Sequence, residues 1–148
     1  MHWTVRHAVT TKHTDEHGTP AFLSVVLAEQ PGPKGRYIEF QLDLDEDERE
    51  DGYCVMDAAP PSYDGDPIAL GLAIGTHKTL YGAVKECRLD NELLTFRFTW
   101  KARRIFGWPR KLKLSLALPE DQGAALRRGL VEVFAFAPPR ERPPRVIV

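Results

Sequence analysis

Apolar and polar residues alternate over several short segments of the chain, which is the pattern of strands that bury one face. One such segment is RYIEFQLDL, residues 36–44, in which Tyr37 and Glu39 share one face. Further strands are predicted at 2–10 (HWTVRHAVT), 21–30 (AFLSVVLAEQ) and 53–57 (YCVMD), with turns at DEHGTP and PGPKG between the first three. In the segment 36–44, the residues expected to share the other face are Ile38, Phe40, Leu42 and Leu44. In the segment 2–10, the residues expected to share one face are Trp3, Val5, His7 and Val9.

The segment TLYGAVKECRLDNELLTFRFTW, residues 79–100, has the pattern of an antiparallel hairpin. Two strand-like runs flank the turn sequence DNE, and Leu94, Phe96 and Phe98 alternate with polar residues in the second run. The following KARRIFGW predicts one helical turn that ends at Gly107, and RKLKLSLAL at 110–118 predicts another strand.

A single amphipathic helix is predicted near the end of the chain. Residues 119–134, PEDQGAALRRGLVEVF, begin with a proline and two acids, which favour a first helical turn, and place Leu126, Leu130 and Phe134 on one stripe. The predicted fold class is therefore α+β, a mainly antiparallel β-sheet of about six to eight strands with this C-terminal helix packed on it.

The length of 148 residues and the hydrophobic content of 43% predict one cooperative domain. We expect this α+β domain to span 1–137 and a Pro- and Arg-rich tail to span 138–148, extended unless its last three residues dock. The chain starts with polar residues, and no apolar run approaches the roughly 20 residues of a membrane span. A soluble, cytoplasmic protein is therefore expected, with Cys54 and Cys87 as reduced thiols packed in strands.

The formal net charge of −1 conceals a strong segregation of charge along the chain. Between Glu39 and Asp66 there are eleven acids and one base, so this window carries −10 and the rest of the chain +9. The block from Arg97 to Lys113 contains seven bases and no acid. The two blocks either neutralise each other within the fold or are presented to different partners, and the sequence leaves both alternatives open.

Motifs for catalysis or metal binding are weak. The sequence HTDEH at 13–17 matches a zinc-protease pattern, but that pattern requires a helix, whereas Gly18 and Pro20 and the flanking strand patterns favour a surface turn. The acidic run lacks the central glycine and the terminal glutamate of a calcium loop. A nucleophile and base pair formed by Cys54 and His77 has no further support. We therefore expect no enzyme activity, no cofactor and no metal site.

The basic block supports a second interpretation. Aromatic residues interleave with its bases, as in surfaces that stack on single-stranded nucleic acid and neutralise its phosphates. The alternative is a sheet in which aromatic side chains face inward and charges face water. The candidate nucleic-acid-binding residues are Trp100, Arg103, Arg104, Phe106 and Trp108.

The order of these segments resembles a known family. A strand RYIEFQ, the acidic DEDERED, a strand GYCV, then LYGAVKECRLDNELLTFRF, LALPED and a final helix LRRGLVEVF are similar to the immunity protein 10 family of bacterial polymorphic toxin systems. The resemblance covers about residues 36 to 134 and has no catalytic residues to transfer. It implies an immunity protein that binds and neutralises a cognate toxin protein.

The acidic run gives this implication a physical basis. A nuclease is one candidate toxin, and a carboxylate cluster that imitates the charge of a nucleic acid could occupy the basic cleft of such an enzyme. The alternative is a solvated segment that is acidic only for solubility. The hypothetical partner-binding residues are Asp45, Glu46, Asp47, Glu48, Glu50 and Asp51, with Tyr53 and Tyr63 as aromatic anchors.

Overall fold

The computed structural model describes residues 2–18, 20–31, 35–44, 53–56, 80–135 and 142–148. Within these ranges the chain forms ten strands and two helices. The strands are β1 (His2–Val5), β2 (His7–Thr14), β3 (Pro20–Ala28), β4 (Tyr37–Asp43), β5 (Tyr53–Met56), β6 (Leu80–Tyr81), β7 (Val84–Asp90), β8 (Leu93–Phe98), β9 (Lys111–Leu116) and β10 (Arg145–Ile147). The helices are α1 (Trp100–Phe106) and α2 (Glu120–Val133).

The strands form two five-stranded sheets. Sheet A has the order β1-β9-β8-β7-β10, and sheet B has the order β2-β3-β4-β5-β6. Neighbouring strands are antiparallel except for β1 with β9 and β10 with β7, which are parallel. The predicted α+β class is confirmed, and the strands are divided between two sheets.

The chain crosses between the sheets at two places. Arg6 separates β1 of sheet A from β2 of sheet B, and its N–H donates to the carbonyl of Ala28 on β3. Gly82 and Ala83 separate β6 of sheet B from β7 of sheet A, with Gly82 in the left-handed region at φ 70°. The two sheets are thus joined at both crossings around one core.

The crossing at Arg6 corrects one predicted face. The alternation at 2–10 predicted that His7 and Val9 would share the buried face of Trp3 and Val5. Trp3 and Val5 are buried, but beyond the crossing Ala8 is buried and Val9 is 38% exposed. The alternation of buried and exposed residues shifts by one position because the chain leaves one sheet and enters the other at a single residue.

The core consists of side chains from both sheets and α2. The ring centroid of Phe40 on β4 lies 5.3 Å from that of Phe96 on β8 and 5.0 Å from that of Phe134, which follows α2. Leu126 and Leu130 of α2 are also fully buried. Each Å² of buried apolar area contributes about 25 cal/mol to the free energy of unfolding. The cluster formed by the two sheets and α2 is therefore the main source of stability.

The hairpin and both helices form where the sequence predicts them. The turn between β7 and β8 places Asn91 in the left-handed region at φ 54°, a conformation that Asn tolerates. The side chain of Thr99 caps α1 by accepting a hydrogen bond from the N–H of Ala102 at 3.2 Å, and Gly107 ends the helix at φ 69°.

The end of the chain docks on sheet A. Val146 pairs in register with Cys87 of β7 and packs against the core, and Arg145 pairs with Glu86. These contacts hold the end of the chain as a short parallel strand.

Neither described helix is long and apolar enough to span a membrane.

Candidate partner-binding surfaces

The acidic run connects two paired strands of sheet B. The last strand residue before it is Asp43 and the first after it is Tyr53, which pairs in register with Leu42. Both ends of this connection are therefore fixed by the same ladder of backbone hydrogen bonds. Of the predicted partner-binding residues, Tyr53 starts β5, and the following lie outside the described residues: Asp45, Glu46, Asp47, Glu48, Glu50, Asp51 and Tyr63.

Further acids lie at the same end of sheet B. The turn between β2 and β3 exposes Asp15 and Glu16. This turn lies beside the end of β4, because Phe22 near the start of β3 pairs with both His13 of β2 and Asp43 of β4. The end of sheet B from which the acidic connection departs thus carries additional negative charge. We call this end of sheet B the acidic end.

A short polar network fixes another acid on the outer face of sheet B. The Ser24 hydroxyl donates to Oε1 of Glu39 at 2.7 Å, and the Gln41 side-chain amide donates to the same oxygen at 3.2 Å. Ser24 is buried and Glu39 is half-buried. Because hydrogen bonds to a carboxylate are stronger than neutral ones, Glu39 is held in one orientation on β4.

The opposite end of the β3–β4 pair is closed by an ion pair between Glu29 and Arg36. Arg36 donates to Glu29 from its backbone N–H at 2.9 Å and from Nε at 2.8 Å. Burial raises the pKa of the Glu29 carboxyl, but the hydrogen bonds and charge of Arg36 outweigh it, so the pKa lies below its usual value. The Arg36 guanidinium also lies 5.9 Å from the ring centroid of Trp3 on β1, which links the hairpin to sheet A.

The outer face of sheet A carries basic side chains from four strands. Register places them in two rows across the sheet, since paired residues share a face. One row is Lys111, Arg97, Glu86 and Arg145, and the next is His2, Lys113, Thr95, Arg88 and Ile147. With Arg110, which immediately precedes β9, these two rows form what we call the basic face.

Glu86 lies between two arginines of the basic face. Its Oε1 is 3.4 Å from Nε of Arg88, and its Oε2 is 4.0 Å from a terminal nitrogen of Arg97. The Glu86 side chain is only 17% exposed, whereas Arg88 and Arg97 remain 42% and 40% exposed. One carboxylate thus lies close to two guanidinium groups, each of which remains partly exposed.

The surroundings of Glu86 form a shallow, open cleft of about 480 Å³. Its lining residues are Glu86, Arg88, Thr95, Arg97, Arg110 and Lys111. Four of these six residues are bases and one is an acid, so the cleft carries a net positive charge and is suited to an anionic group.

The structure separates the aromatic residues of the basic block. Trp100 at the start of α1 is 65% exposed, with the Arg104 guanidinium 5.4 Å from its ring centroid. Trp108 is only 8% exposed. Its ring centroid lies 4.4 Å from that of Phe98 and 4.4 Å from that of the half-buried Phe106. The prediction that Trp108 forms part of a nucleic-acid-binding surface is therefore wrong, because Trp108 belongs to the core and cannot stack on a base.

Sequence reasoning found only part of the basic face. The block 97–113 contains Arg97, Arg110, Lys111 and Lys113 of this face, but Arg88 comes from β7 and Arg145 from the last strand. Alternation within the hairpin places Arg88 on the outer face, so that residue could have been identified. Arg145 could not, because its position depends on the parallel pairing of β10 with β7.

The remaining candidate chemical groups have structural roles. HTDEH begins in β2 and continues as a turn, in which the Asp15 side chain accepts from the N–H of His17 at 2.9 Å. Cys87 is a free, fully buried thiol in β7, and burial, together with the nearby charge of Glu86, raises its pKa to about 12. Within the described ranges, no three His, Cys, Asp or Glu side chains are grouped so as to hold a metal ion.

Comparison with known protein families identifies a match over most of the chain. Residues 5–124, most of the chain, match the family model described as Immunity protein 10. No curated protein and no solved structure matches the chain. The family match confirms the resemblance described from the sequence.

Proposed function

The chain belongs to the immunity protein 10 family, and we propose that it binds a cognate toxin protein and neutralises it, partly through the acidic end of sheet B. The observation that carries the proposal is the family match, which extends over most of the chain. The fold supports this proposal in one respect, because the two strands that flank the acidic connection pair with each other.

The proposed contact is electrostatic in its first step. Residues 45–51 contain six acids and one arginine, and Asp15, Glu16 and Asp43 lie at the same end of the sheet. Negative charge concentrated in this way steers a basic surface of the toxin toward the protein and raises the rate of association. A nuclease, whose cleft must attract phosphates, is the toxin class that this charge suits best.

Aromatic side chains supply the second step. Buried tyrosines commonly provide a large share of the binding energy at the centre of an interface, whereas charges at the rim mainly affect the association rate. We assign this role to Tyr53 and Tyr63, and the rim to Asp45, Glu46, Asp47, Glu48, Glu50 and Asp51.

The test is to capture the partner with a tagged copy of the chain expressed in its native host, and then to measure the affinity of variants for it. Neutralising the six acids to Asn or Gln is expected to weaken binding about ten- to a hundredfold at low salt and to reduce its salt dependence. Pairs of acids are neutralised in turn: D45N/E46Q, D47N/E48Q and E50Q/D51N. The matched control is D90N/E92Q, which removes two exposed acids from the β7–β8 hairpin of sheet A: one ends β7 and the other lies in the turn.

The outcomes separate the function from the surface. If no protein is captured at low salt, or if the captured protein is equally toxic with and without the chain, the proposed function is wrong. If a toxin is captured and neutralised but the acid variants bind as well as the control, the function stands and the acidic surface is wrong.

A further inference from the structure

From the basic face of sheet A we infer a second binding surface, whose occupant is the acidic segment 45–51 of a second copy of this protein. The inference concerns the free protein and does not require a toxin. It addresses the segregation of charge along the chain, because each copy carries both a basic face and a segment of opposite charge.

The first support is the exposure of uncompensated charge. Arg110, Lys111, Lys113 and Arg145 are exposed and make no ion pair with another described residue, and Arg88 and Arg97 share the single carboxylate of Glu86. Six bases against one acid leave the face at +5. Side chains of like charge on neighbouring strands repel one another, so an anionic partner would stabilise this arrangement.

The second support is geometric. Residues two apart on one face of a strand are separated by about 7 Å, and neighbouring strands by about 4.8 Å. Alternate carboxylates of an extended segment have the same separation of about 7 Å. Guanidinium groups also bind carboxylates through paired hydrogen bonds, and Arg88 and Arg97 remain partly exposed beside Glu86.

The third support concerns the choice between a peptide and a nucleic acid. The two rows of the basic face contain no Phe, Tyr or Trp, so the face has no platform on which bases could stack. A peptide that carries carboxylates needs no such platform. The segment 45–51 supplies six carboxylates in seven positions, and the strands on either side of it, β4 and β5, belong to sheet B, whereas the basic face belongs to sheet A.

Contact between an acidic segment and a basic face joins different surfaces of the two copies. Such a head-to-tail contact leaves one free basic face and one free acidic segment on every dimer. We therefore expect association that increases with protein concentration and is lost as salt rises from about 0.05 M to about 0.5 M, where the screening length falls well below 10 Å.

The experiment uses two complementary variants of the full chain. One neutralises the segment with D45N, E46Q, D47N, E48Q, E50Q and D51N. The other neutralises the face with R110Q, K111Q, K113Q and R145Q, and keeps Arg88 and Arg97 so that Glu86 retains its partners. The matched control, R103Q/R104Q/R127Q/R128Q, removes four exposed bases from the two helices.

Molar mass is measured for each protein by sedimentation at low salt. Wild type and the control are expected to associate, each neutralised variant alone is expected to be monomeric, and an equal mixture of the two variants is expected to form a dimer and nothing larger. The mixture is decisive because each of its components retains only one of the two surfaces.

Two results would overturn the inference. One is a wild-type protein that stays monomeric at low salt, or a mixture of the two variants that forms no dimer while both are folded by circular dichroism. The other is a monomeric wild type that binds a single-stranded oligonucleotide and loses that binding in the face variant, which would assign the basic face to phosphates.

Discussion

Gly129 of α2 lies directly against Thr10 of β2. A β-carbon placed on Gly129 would lie 2.7 Å from Cγ2 and 2.8 Å from Oγ1 of Thr10, closer than such atoms can approach. Val25 on the neighbouring strand lies 3.1 Å from the same point. The absence of a side chain at this position allows the helix to reach the sheet and bury Leu126 and Leu130.

Substituting Gly129 with alanine is therefore expected to destabilise the protein. Forcing a methyl group into this contact should lower the free energy of unfolding by about 1–3 kcal/mol, despite the higher helix propensity of alanine. Gly123 in the same helix has nothing within 4 Å of its β-carbon position, so G123A should raise stability by about 0.4–1 kcal/mol. Denaturant unfolding measures both changes. In T10A/G129A, part of the loss should be recovered, and equal stability of G129A and G123A would contradict this packing.

The thiol of Cys87 is expected to be unreactive in the folded protein. It is fully buried, and its pKa of about 12 keeps it neutral. In a C54S variant, which isolates this thiol, a disulfide reagent at about pH 8 should label Cys87 only after denaturant is added. Rapid and complete labelling of the native protein would show that β7 is not packed as described.

The ion pair between Glu29 and Arg36 should make stability depend on acid pH. The pKa of Glu29 is lower in the folded protein than its usual 4.5, so the pair contributes fully above that value and its contribution is lost as pH falls through the folded pKa. E29Q should therefore be less stable than wild type at neutral pH, by about 1–3 kcal/mol, and the two should converge in acid. Denaturant unfolding across about pH 7 to about pH 3 provides the comparison. A difference that stays constant with pH would contradict an ionic origin.

The first turn of α1 depends on the hydroxyl of Thr99. Removing the acceptor in T99A leaves the Ala102 N–H without its partner and should cost about 1 kcal/mol. T99S keeps the hydroxyl and should retain most of the stability. Equal losses in the two variants would assign the effect to the methyl group of Thr99 instead of to the cap.

Alternation and capping signals predict the local elements of this fold well. Leu94, Phe96 and Phe98 are buried as their period of two predicts, and α2 runs over the residues that its apolar stripe indicates. The division into two sheets could not be predicted from the sequence, because the alternation of residues identifies a strand but not the strands with which it pairs. The crossing at Arg6 gives no signal in the sequence, and it changes which residues of the following strand, β2, are buried.

The candidate surfaces show the same division between local and long-range information. The acidic run is visible in the sequence, and the structure adds that it joins two paired strands. The basic face required the register of four strands, since Arg88 and Arg145 are separated by 57 positions and lie in neighbouring rows. Burial of Trp108 also depends on tertiary packing, here against Phe98 and Phe106.

The most direct test of the central claim is a measurement of cell survival. The protein that the tagged chain captures is expressed in sensitive cells with and without this chain, and viable cells are counted, with an inactivated form of the captured protein as the control. The proposed function predicts that the chain restores survival to the level of the control. Continued killing in cells in which the chain accumulates as a folded protein would contradict it.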